Sequence, residues 1–140
     1  MYYCMMYSFE TNIRVRYAET DQMSFVYYGV YAQYYEVGRV ELLRSLNVSY
    51  KALEELGFAL PVVNLNISYK KPAFYDDLLT VRTTIKEMPS ARITFYCETI
   101  NSKGELLNTG EVVLVFMDKK TGKPCLAPAI VLDKLNEKLV

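Results

Sequence analysis

The sequence predicts an α+β protein in which an antiparallel sheet of about five strands curls around one long central helix. Several segments alternate apolar and polar residues with the two-residue period of strands, and hairpin-length connections join most of them. One long segment, from about Val30 to Leu46, instead has the apolar spacing of a helix. Because no other element is long and apolar enough to cover the sheet, we expect the sheet to bury one face on this helix.

The first half of the chain supplies the first strand and the helices. Unbroken alternation predicts a strand from Phe9 to Tyr17, and the aperiodic, partly polar stretch from Ala18 to Tyr28 predicts a loop. The helix that follows, with Gly29 near its start, has apolar residues on most sides, which predicts a buried helix. Ser49 is the expected cap of a short second helix that ends at Gly57.

The second half of the chain is predicted to be mostly strands. The alternating segments are Val62 to Tyr69, Leu79 to Glu87, Ile93 to Thr99 and Glu111 to Asp118. Turn signals occur from Asn101 to Gly104 and from Lys119 to Lys123. Asp76 and Asp77 are predicted to form a turn before a strand, and the tail from Ala129 to Val140 has a weak helical period.

The overall composition indicates one ordinary globular domain spanning residues 1–140. Its 140 residues are close to the commonest domain size, and its 16 basic residues balance its 16 acidic ones. No net basic charge or clustered Lys/Arg stripe suggests binding to a nucleic acid. No apolar run approaches the length of a membrane span.

The chain contains no histidine, which excludes several catalytic mechanisms. A Ser/His/Asp triad, a Cys/His pair and a His-liganded zinc are all impossible. If the protein is an enzyme, carboxylates must carry the proton chemistry, with Tyr, Lys and backbone amides assisting. We predict neither a metal nor an organic cofactor.

The cysteines predict a cytoplasmic location. Cys4, Cys97 and Cys125 are odd in number and widely spaced, so no disulfide framework is expected. The amino-terminal segment MYYCMMY is apolar but short and lacks a basic region, which makes it a poor signal peptide.

Three stretches of the chain resemble a known family. The first contains Arg14, Val15, Thr20, Asp21, Val26, Tyr28 and Tyr31, the second is YYEVGRVELLR in the helix, and the third is SYKKPAFYDDLLTV from Ser68 to Val81. This combination resembles the acyl-CoA thioester hydrolases of the 4-hydroxybenzoyl-CoA thioesterase type. The resemblance implies the hotdog fold, hydrolysis of an acyl-CoA to a free acid and coenzyme A, and a homodimer that is commonly paired into a homotetramer.

The resemblance gives Asp21 and Tyr28 catalytic roles. It implies that Asp21 is either a general base for the attacking water or a nucleophile that forms an anhydride. It also implies that the backbone amide of Tyr28 binds the oxyanion that develops on the thioester. Both roles agree with a position at a helix entrance, where unpaired N–H groups and the helix dipole favour negative charge.

Five further residues are candidates for substrate binding. Ser24 follows Asp21 at a position where the family has glycine, and Tyr31 is a candidate lining residue for the acyl pocket. Lys70, Lys71 and Arg92 are candidates for gripping the phosphates of coenzyme A. Solvated surface charge is the alternative account of these three cations, and a core or dimer contact is the alternative for Tyr31.

Other interpretations stay open from the residues alone. Asp21 could serve only as a helix cap or as an Asx-turn residue. Glu36 and Glu41 are rival acids on the helix, although Glu36 is also placed to pair with Arg39 or to face solvent. A hotdog module that binds acyl-CoA or acyl-carrier protein without turnover is the alternative function. Ser24, and Val30 where relatives commonly have Asn, make that alternative credible.

Overall fold

The computed structural model describes residues 6–139 and contains one five-stranded antiparallel sheet and one long helix. Its elements are β1 (Tyr7–Arg14), α1 (Tyr31–Ser45), α2 (Tyr50–Glu55), β2 (Phe58–Ala59), β3 (Val62–Tyr69), β4 (Leu78–Ile85), β5 (Arg92–Ile100), β6 (Leu106–Val115), β7 (Met117–Asp118) and α3 (Ala129–Lys138). The strand order in the sheet is β1-β4-β5-β6-β3. The predicted α+β class is therefore confirmed. Cys4 and Val140, and most of the segment MYYCMMY, lie outside the described residues.

One face of α1 forms the centre of the core. Tyr35, Leu42 and Leu43 on this face are at most 1% exposed and pack in one cluster with buried residues of the sheet. On the opposite face Val37 is 43% exposed. The predicted burial of this helix is therefore confirmed for one face only, because a single sheet covers only one side of a helix.

The first strand ends earlier than its alternation predicts. β1 stops at Arg14, and the amide of Val15 then donates to the Asp77 carbonyl at 2.9 Å. A 3-10 turn at Tyr17–Glu19 follows, and it leaves Tyr17 exposed. The alternation from Val15 to Tyr17 does not correspond to a strand. The last residue pair of β1 and β4 is Arg14 with Leu78, the first residue of β4, and the chain bends away from the sheet after it.

Strand β6 begins five residues before the predicted Glu111. Gly110 lies inside the strand and pairs with both Ile67 and Cys97. A Cβ atom at this position would lie 2.5 Å from the Tyr35 ring and 2.6 Å from the Asn66 carbonyl oxygen. Glycine is present because the helix and the neighbouring strand approach the backbone too closely for any side chain.

The turns and the short helix agree with the predictions. The Ser49 hydroxyl accepts a hydrogen bond from the Ala52 amide at 3.0 Å and so caps α2. Gly57 and Gly122 have φ values of +94° and +69°, the left-handed conformation that glycine adopts most readily. The two-residue strand β2 was missed, because two residues are too few to display a period. The residues of β7 were predicted as the end of the strand from Glu111 to Asp118, whereas β6 ends at Val115 and β7 is separate.

Strand β3 is an edge strand that pairs only with β6. The alternation of this segment was expected to bury one face, but Val63 is 50% and Leu65 is 40% exposed. The long helix packs against β1, β4 and β5 instead. The outer edge of the sheet therefore carries apolar side chains that no described element covers. Between residues 6 and 139, no helix is sufficiently long and apolar to cross a membrane.

Candidate active site

Asp21 lies in a tight hairpin loop just before the long helix. Thr20 and Val26 form a bridge at the base of this loop, and the Asp21 amide donates to the Phe25 carbonyl at 3.0 Å. The Asp21 Oδ1 atom accepts a hydrogen bond from the Met23 amide at 2.8 Å. This contact is an Asx-turn. The alternative role of Asp21 as an Asx-turn residue is therefore correct for its Oδ1 atom. The Oδ2 atom has no hydrogen-bond donor among the described residues.

Ser24 occupies the sharpest point of the same loop. Its φ of +72° lies in the left-handed region, which explains why a glycine suits this position. The Ser24 amide donates to the Asp21 carbonyl at 3.0 Å and closes the turn. Ser24 is not among the residues that line the neighbouring cavity, so its visible contribution is to the shape of the loop.

A cavity of about 530 Å³ opens beside this loop. It is lined by Asp21, Met23, Phe25, Val26, Tyr28, Tyr31, Tyr69, Lys70, Lys71 and Pro72. The structure thus brings together five sequence-predicted residues, which come from the loop, the helix entrance and the segment after β3. Most of the lining is aromatic or aliphatic, while one carboxylate and two ammonium groups supply the charge. Such a mixture suits a ligand with an apolar part and an anionic part.

The helix entrance beside Asp21 has unpaired backbone donors. A 3-10 turn at Tyr28–Val30 leads directly into α1, and the Val30 amide donates to the Tyr27 carbonyl at 2.9 Å. Within residues 6–139, neither the Tyr28 amide nor the Gly29 amide has a hydrogen-bond acceptor. Two N–H groups at the positive end of a long helix are therefore available to a negatively charged oxygen.

Glu19 anchors the loop that carries Asp21, a role that the sequence did not suggest. Its carboxylate is buried and accepts hydrogen bonds from the Arg16 amide at 2.8 Å, the Arg16 guanidinium at 3.0 Å and the Tyr34 hydroxyl at 2.9 Å. Burial alone would raise the pKa of Glu19, but these hydrogen bonds outweigh it and lower the pKa. Burial raises the pKa of Tyr34, and the neighbouring Glu19 carboxylate raises it further.

We expect the Glu19→Gln variant to lose less unfolding free energy than the wild type when the pH is lowered. Because the pKa of Glu19 is lower in the folded state, its charge stabilises the fold above the ordinary value of 4.5 and stops doing so as pH falls through the folded value. Gln keeps an oxygen acceptor but loses the charge, so the free energy of unfolding should fall by about 1 to 3 kcal/mol at pH 7. Urea unfolding at pH 7 and below pH 4 measures this difference.

The control for this prediction is Glu55→Gln, which changes an exposed glutamate on α2. This control should unfold like the wild type at both pH values. If Glu19→Gln and the wild type lose the same stability on acidification, Glu19 is not an acid-sensitive anchor.

Tyr31 is buried at the floor of the cavity. Its ring packs edge-on against Tyr34, with ring centroids 5.6 Å apart, and lies 5.8 Å from the ring of Tyr69. Burial raises the pKa of Tyr31, so its hydroxyl stays protonated near neutral pH. Tyr31 is thus both a core residue and a lining residue, which combines the two interpretations made from the sequence.

Arg92 is not brought to this cavity within one chain. It begins β5, whereas the cavity lies near Tyr69, which is level with Asn108 and Thr99 in the sheet. Arg92 and Thr99 are seven positions apart along β5, a distance of roughly 23 Å at the usual rise of a strand.

The rival acids on the helix also lie away from the cavity. Glu41 forms an ion pair with Arg44. Of the two placements predicted for Glu36, exposure to solvent is confirmed and pairing with Arg39 is not, because the Arg39 Nε atom donates instead to the Tyr50 hydroxyl at 3.2 Å. Glu36 is exposed and borders a separate cavity that Arg39, Tyr50 and Glu54 also line.

The cysteines in the described part of the chain are not placed for nucleophilic chemistry. Cys97 and Cys125 are both free thiols. Burial raises the pKa of Cys97 to about 12, so its thiolate is scarce at neutral pH. The described residues contain no cluster of three or more Cys, Asp and Glu side chains that could hold a metal ion.

An antiparallel sheet wrapped around one long helix, with a cavity at the helix entrance, defines the hotdog class of folds. A family model described as the thioesterase-like superfamily matches residues 15–135. The chain therefore belongs to the thioesterase-like superfamily, and it is a thioester hydrolase.

Individual relatives and solved structures are similar to most of the chain. YneP of Bacillus subtilis, named provisionally as an acyl-CoA thioesterase, is 38% identical over 119 residues, which are 85% of this chain and 86% of YneP. The acyl-CoA thioesterase YbgC of Haemophilus influenzae is 34% identical and covers 86% of this chain and 88% of its own. The DHNA-CoA thioesterase structure from Staphylococcus aureus matches with a TM-score of 0.86 and 35% identity, covering 94% of this chain and 89% of that one.

Proposed function

We propose that this protein is an acyl-CoA thioesterase that hydrolyses an acyl-CoA to a free acid and coenzyme A. The observation that carries the proposal is that Asp21 and Tyr28 line one cavity at a helix entrance whose first amides are unpaired. The names of YneP and YbgC, which describe acyl-CoA thioesterases, support the same substrate class.

In this proposal Asp21 and the helix entrance share the chemistry. As a general base, Asp21 takes a proton from water while the water oxygen bonds to the thioester carbonyl carbon. The carbonyl oxygen becomes an oxyanion and accepts a hydrogen bond from the Tyr28 amide. Collapse of this intermediate breaks the C–S bond, and the thiolate of coenzyme A takes the proton from Asp21.

A nucleophilic role for Asp21 uses the same geometry. The carboxylate then bonds to the carbonyl carbon and expels the thiolate, and water hydrolyses the resulting anhydride. The free Oδ2 atom suits either route, because the Asx-turn engages only Oδ1.

The two ends of the substrate match different parts of the cavity. Tyr31, Met23 and Phe25 provide an apolar wall for the acyl group. Lys70 and Lys71 provide positive charge for the phosphates of coenzyme A. Lys71 already pairs with Glu105 at 2.5 Å, whereas Lys70 forms no ion pair with a described residue, so Lys70 is the more available cation.

The proposed working form is a homodimer, which can pair further into a homotetramer, in the cytoplasm. The support is the outer edge of β3, which exposes unpaired backbone groups together with Val63 and Leu65. Joining two such edges would extend the sheet across two copies and cover these side chains. Tyr69 ends this strand and also lines the cavity, so the cavity would lie close to the boundary between subunits.

Release of free thiol from a panel of acyl-CoAs tests the proposed function. The panel includes short, long and aromatic acyl groups, and we expect turnover of at least one class. The engaged Oδ1 atom of Asp21 favours one other candidate, a module that binds acyl-CoA without turnover. Binding of panel members with no thiol release would contradict the hydrolase proposal and favour the module.

A further inference from the structure

We propose that a second cavity, next to the candidate active site, binds the nucleotide end of coenzyme A. In this proposal Lys103 binds the 3′-phosphate and the ring of Phe74 contacts the adenine. The inference rests on the proposed function, since it assigns a further part of the same substrate to a region outside the cavity that contains Asp21.

The second cavity has a volume of about 360 Å³, which is within the usual range of small-molecule sites. It lies between the segment that follows β3 and the turn that joins β5 to β6. The segment contributes Lys71, Pro72 and Phe74 to its lining, and the turn contributes Asn101, Ser102 and Lys103. A position beside the catalytic cavity, but outside it, suits a part of the substrate that binds without reacting.

The two cavities are direct neighbours. Lys71 and Pro72 line both of them. Phe25 of the first cavity packs edge-on against Phe74 of the second, with ring centroids 6.3 Å apart. Coenzyme A has a long pantetheine arm that ends in the reactive sulfur, and a diphosphate joins the other end of the arm to an adenosine 3′-phosphate. When the sulfur lies beside Asp21, the arm and the diphosphate can pass over Lys71 and place the nucleotide in the second cavity.

Lys103 is the cation of the second cavity that remains available to a phosphate. The cavity also contains two carboxylates, and both have donors: the Asp77 Oδ2 atom accepts from the Phe74 amide at 2.8 Å, and Glu105 pairs with Lys71. Hydrogen bonding to Lys71 lowers the pKa of Glu105, so this pair stays charged at neutral pH. Lys103 forms no ion pair with a described residue, so its ammonium group is free to bind an anionic ligand.

The turn that carries Lys103 is held in shape by hydrogen bonds. The Asn101 Oδ1 atom accepts from the amides of Lys103 and Glu105, each at 3.0 Å, and the Asn101 Nδ2 atom donates to the Glu105 carboxylate at 3.1 Å. The hydroxyl of Ser102, which lines the cavity next to Lys103, has no hydrogen-bond partner among the described residues. The turn therefore offers an ammonium group and a hydroxyl donor together, a combination that suits a phosphate monoester.

Phe74 provides the apolar surface for the base. It is 48% exposed although it is large and apolar, and it lines the second cavity. Nucleotide bases stack on aromatic side chains because every base has a flat π face. An aromatic ring beside a free lysine matches the adenine and the phosphate of an adenosine 3′-phosphate.

Lys71 lies where the diphosphate would pass from one cavity to the other. In the free protein it pairs with Glu105 at 2.5 Å, and both side chains are more than a third exposed, at 57% and 37%. An ion pair this exposed contributes little to stability, so a diphosphate can replace the Glu105 carboxylate at little cost.

The test measures, by calorimetric titration, the binding of coenzyme A and of dephospho-coenzyme A, which lacks only the 3′-phosphate. A hydrogen bond between charged groups is worth about tenfold in affinity, so the wild type should bind coenzyme A about tenfold more tightly than dephospho-coenzyme A. Lys103→Gln should weaken the binding of coenzyme A by about the same factor and leave that of dephospho-coenzyme A unchanged. The matched control is Lys120→Gln, which removes an exposed lysine of another turn that lines neither cavity. This control should bind both ligands like the wild type.

A second variant, Phe74→Leu, tests the adenine contact separately. Leucine keeps an apolar side chain but has no π face, so the binding of both ligands should weaken by about tenfold. The preference for coenzyme A over dephospho-coenzyme A should persist in this variant, because Lys103 is still present. Unchanged affinity for both ligands would overturn the assignment of Phe74 to the adenine.

The outcomes separate this inference from the proposed function, because binding is measured without turnover. If the wild type releases thiol from acyl-CoA but binds the two ligands equally, the nucleotide site is overturned while the thioesterase proposal stands. A preference for coenzyme A that persists in Lys103→Gln would also overturn the inference, since another group would then bind the 3′-phosphate. If the wild type releases no thiol and Lys103→Gln still abolishes the preference, the hydrolase proposal is overturned and the nucleotide site stands.

Discussion

Replacement of Asp21 by Asn is expected to lower kcat for acyl-CoA hydrolysis by about 10²- to 10⁴-fold. The Asn side chain cannot accept a proton from water or act as an anionic nucleophile. Its Oδ1 atom can still accept the hydrogen bond from the Met23 amide that shapes the loop. The substitution therefore removes the chemistry and keeps the Asx-turn, so initial rates of thiol release measure the chemical role alone.

The matched control for this variant is Asp133→Asn on α3, which removes one exposed carboxylate away from the cavity. This control should retain wild-type kcat, and both variants should unfold at the wild-type urea concentration. Undiminished turnover by Asp21→Asn would assign the reaction to another group and remove the main support for the proposed mechanism.

Labelled water can separate the two routes that Asp21 could take. In a single turnover in 18O water, a nucleophilic Asp21 gains one labelled oxygen when water attacks the anhydride at the Asp21 carbonyl. A general base carries no label, since the water oxygen goes directly to the product acid. Label found by mass analysis in the peptide that contains Asp21 therefore identifies the nucleophilic route.

Replacement of Gly110 by Ala is expected to lower the free energy of unfolding by about 3 kcal/mol, near the upper end for overpacking a core. The new methyl group would lie 2.5 Å from the Tyr35 ring and 2.6 Å from the Asn66 carbonyl oxygen. The Asn66 oxygen belongs to the backbone of β3, so it can move only by distorting the β3–β6 pairing. The gain from replacing a flexible glycine, about 0.5 to 1 kcal/mol, is too small to offset this strain.

Gly122→Ala is the control, because a Cβ at Gly122 meets no atom within 4 Å. Its φ of +69° makes Ala unfavourable there by about 1 kcal/mol, which is a purely local cost. Urea unfolding of both variants measures the difference between local strain and core overpacking. Equal losses in the two variants would contradict the close approach of Tyr35 and Asn66 to Gly110.

The interior around Gly110 also contains polar groups that periodicity could not reveal. The Tyr35 hydroxyl donates to the Asn108 Oδ1 atom at 2.5 Å, and the Thr99 hydroxyl donates to the same atom at 2.8 Å. Burial raises the pKa of Tyr35, so this donor stays protonated. Asn108 and Thr99 look like ordinary strand residues in the sequence, and only the packing of α1 on the sheet brings Tyr35 to them.

The candidate site was only partly predictable for a related reason. Asp21 and Tyr28 could be selected because they lie in one short segment that resembles a family and precedes a helix. Glu19 and Tyr69 gave no comparable signal, since each forms its hydrogen bond with a partner that only folding brings near it. Arg92 was selected by charge alone, and the sheet register places it far from the cavity.

The sequence by itself determined the local features of this protein: the strand and helix segments, the left-handed turn positions, the capped short helix and the position of Asp21 before α1. These features depend on neighbours along the chain, so residue type and spacing are enough to predict them. The tertiary structure alone decided where β1 ends and β6 begins, which face of α1 is buried, and which side chains line the cavity. Those outcomes depend on contacts between segments tens of residues apart, whose strand order and register no local pattern encodes.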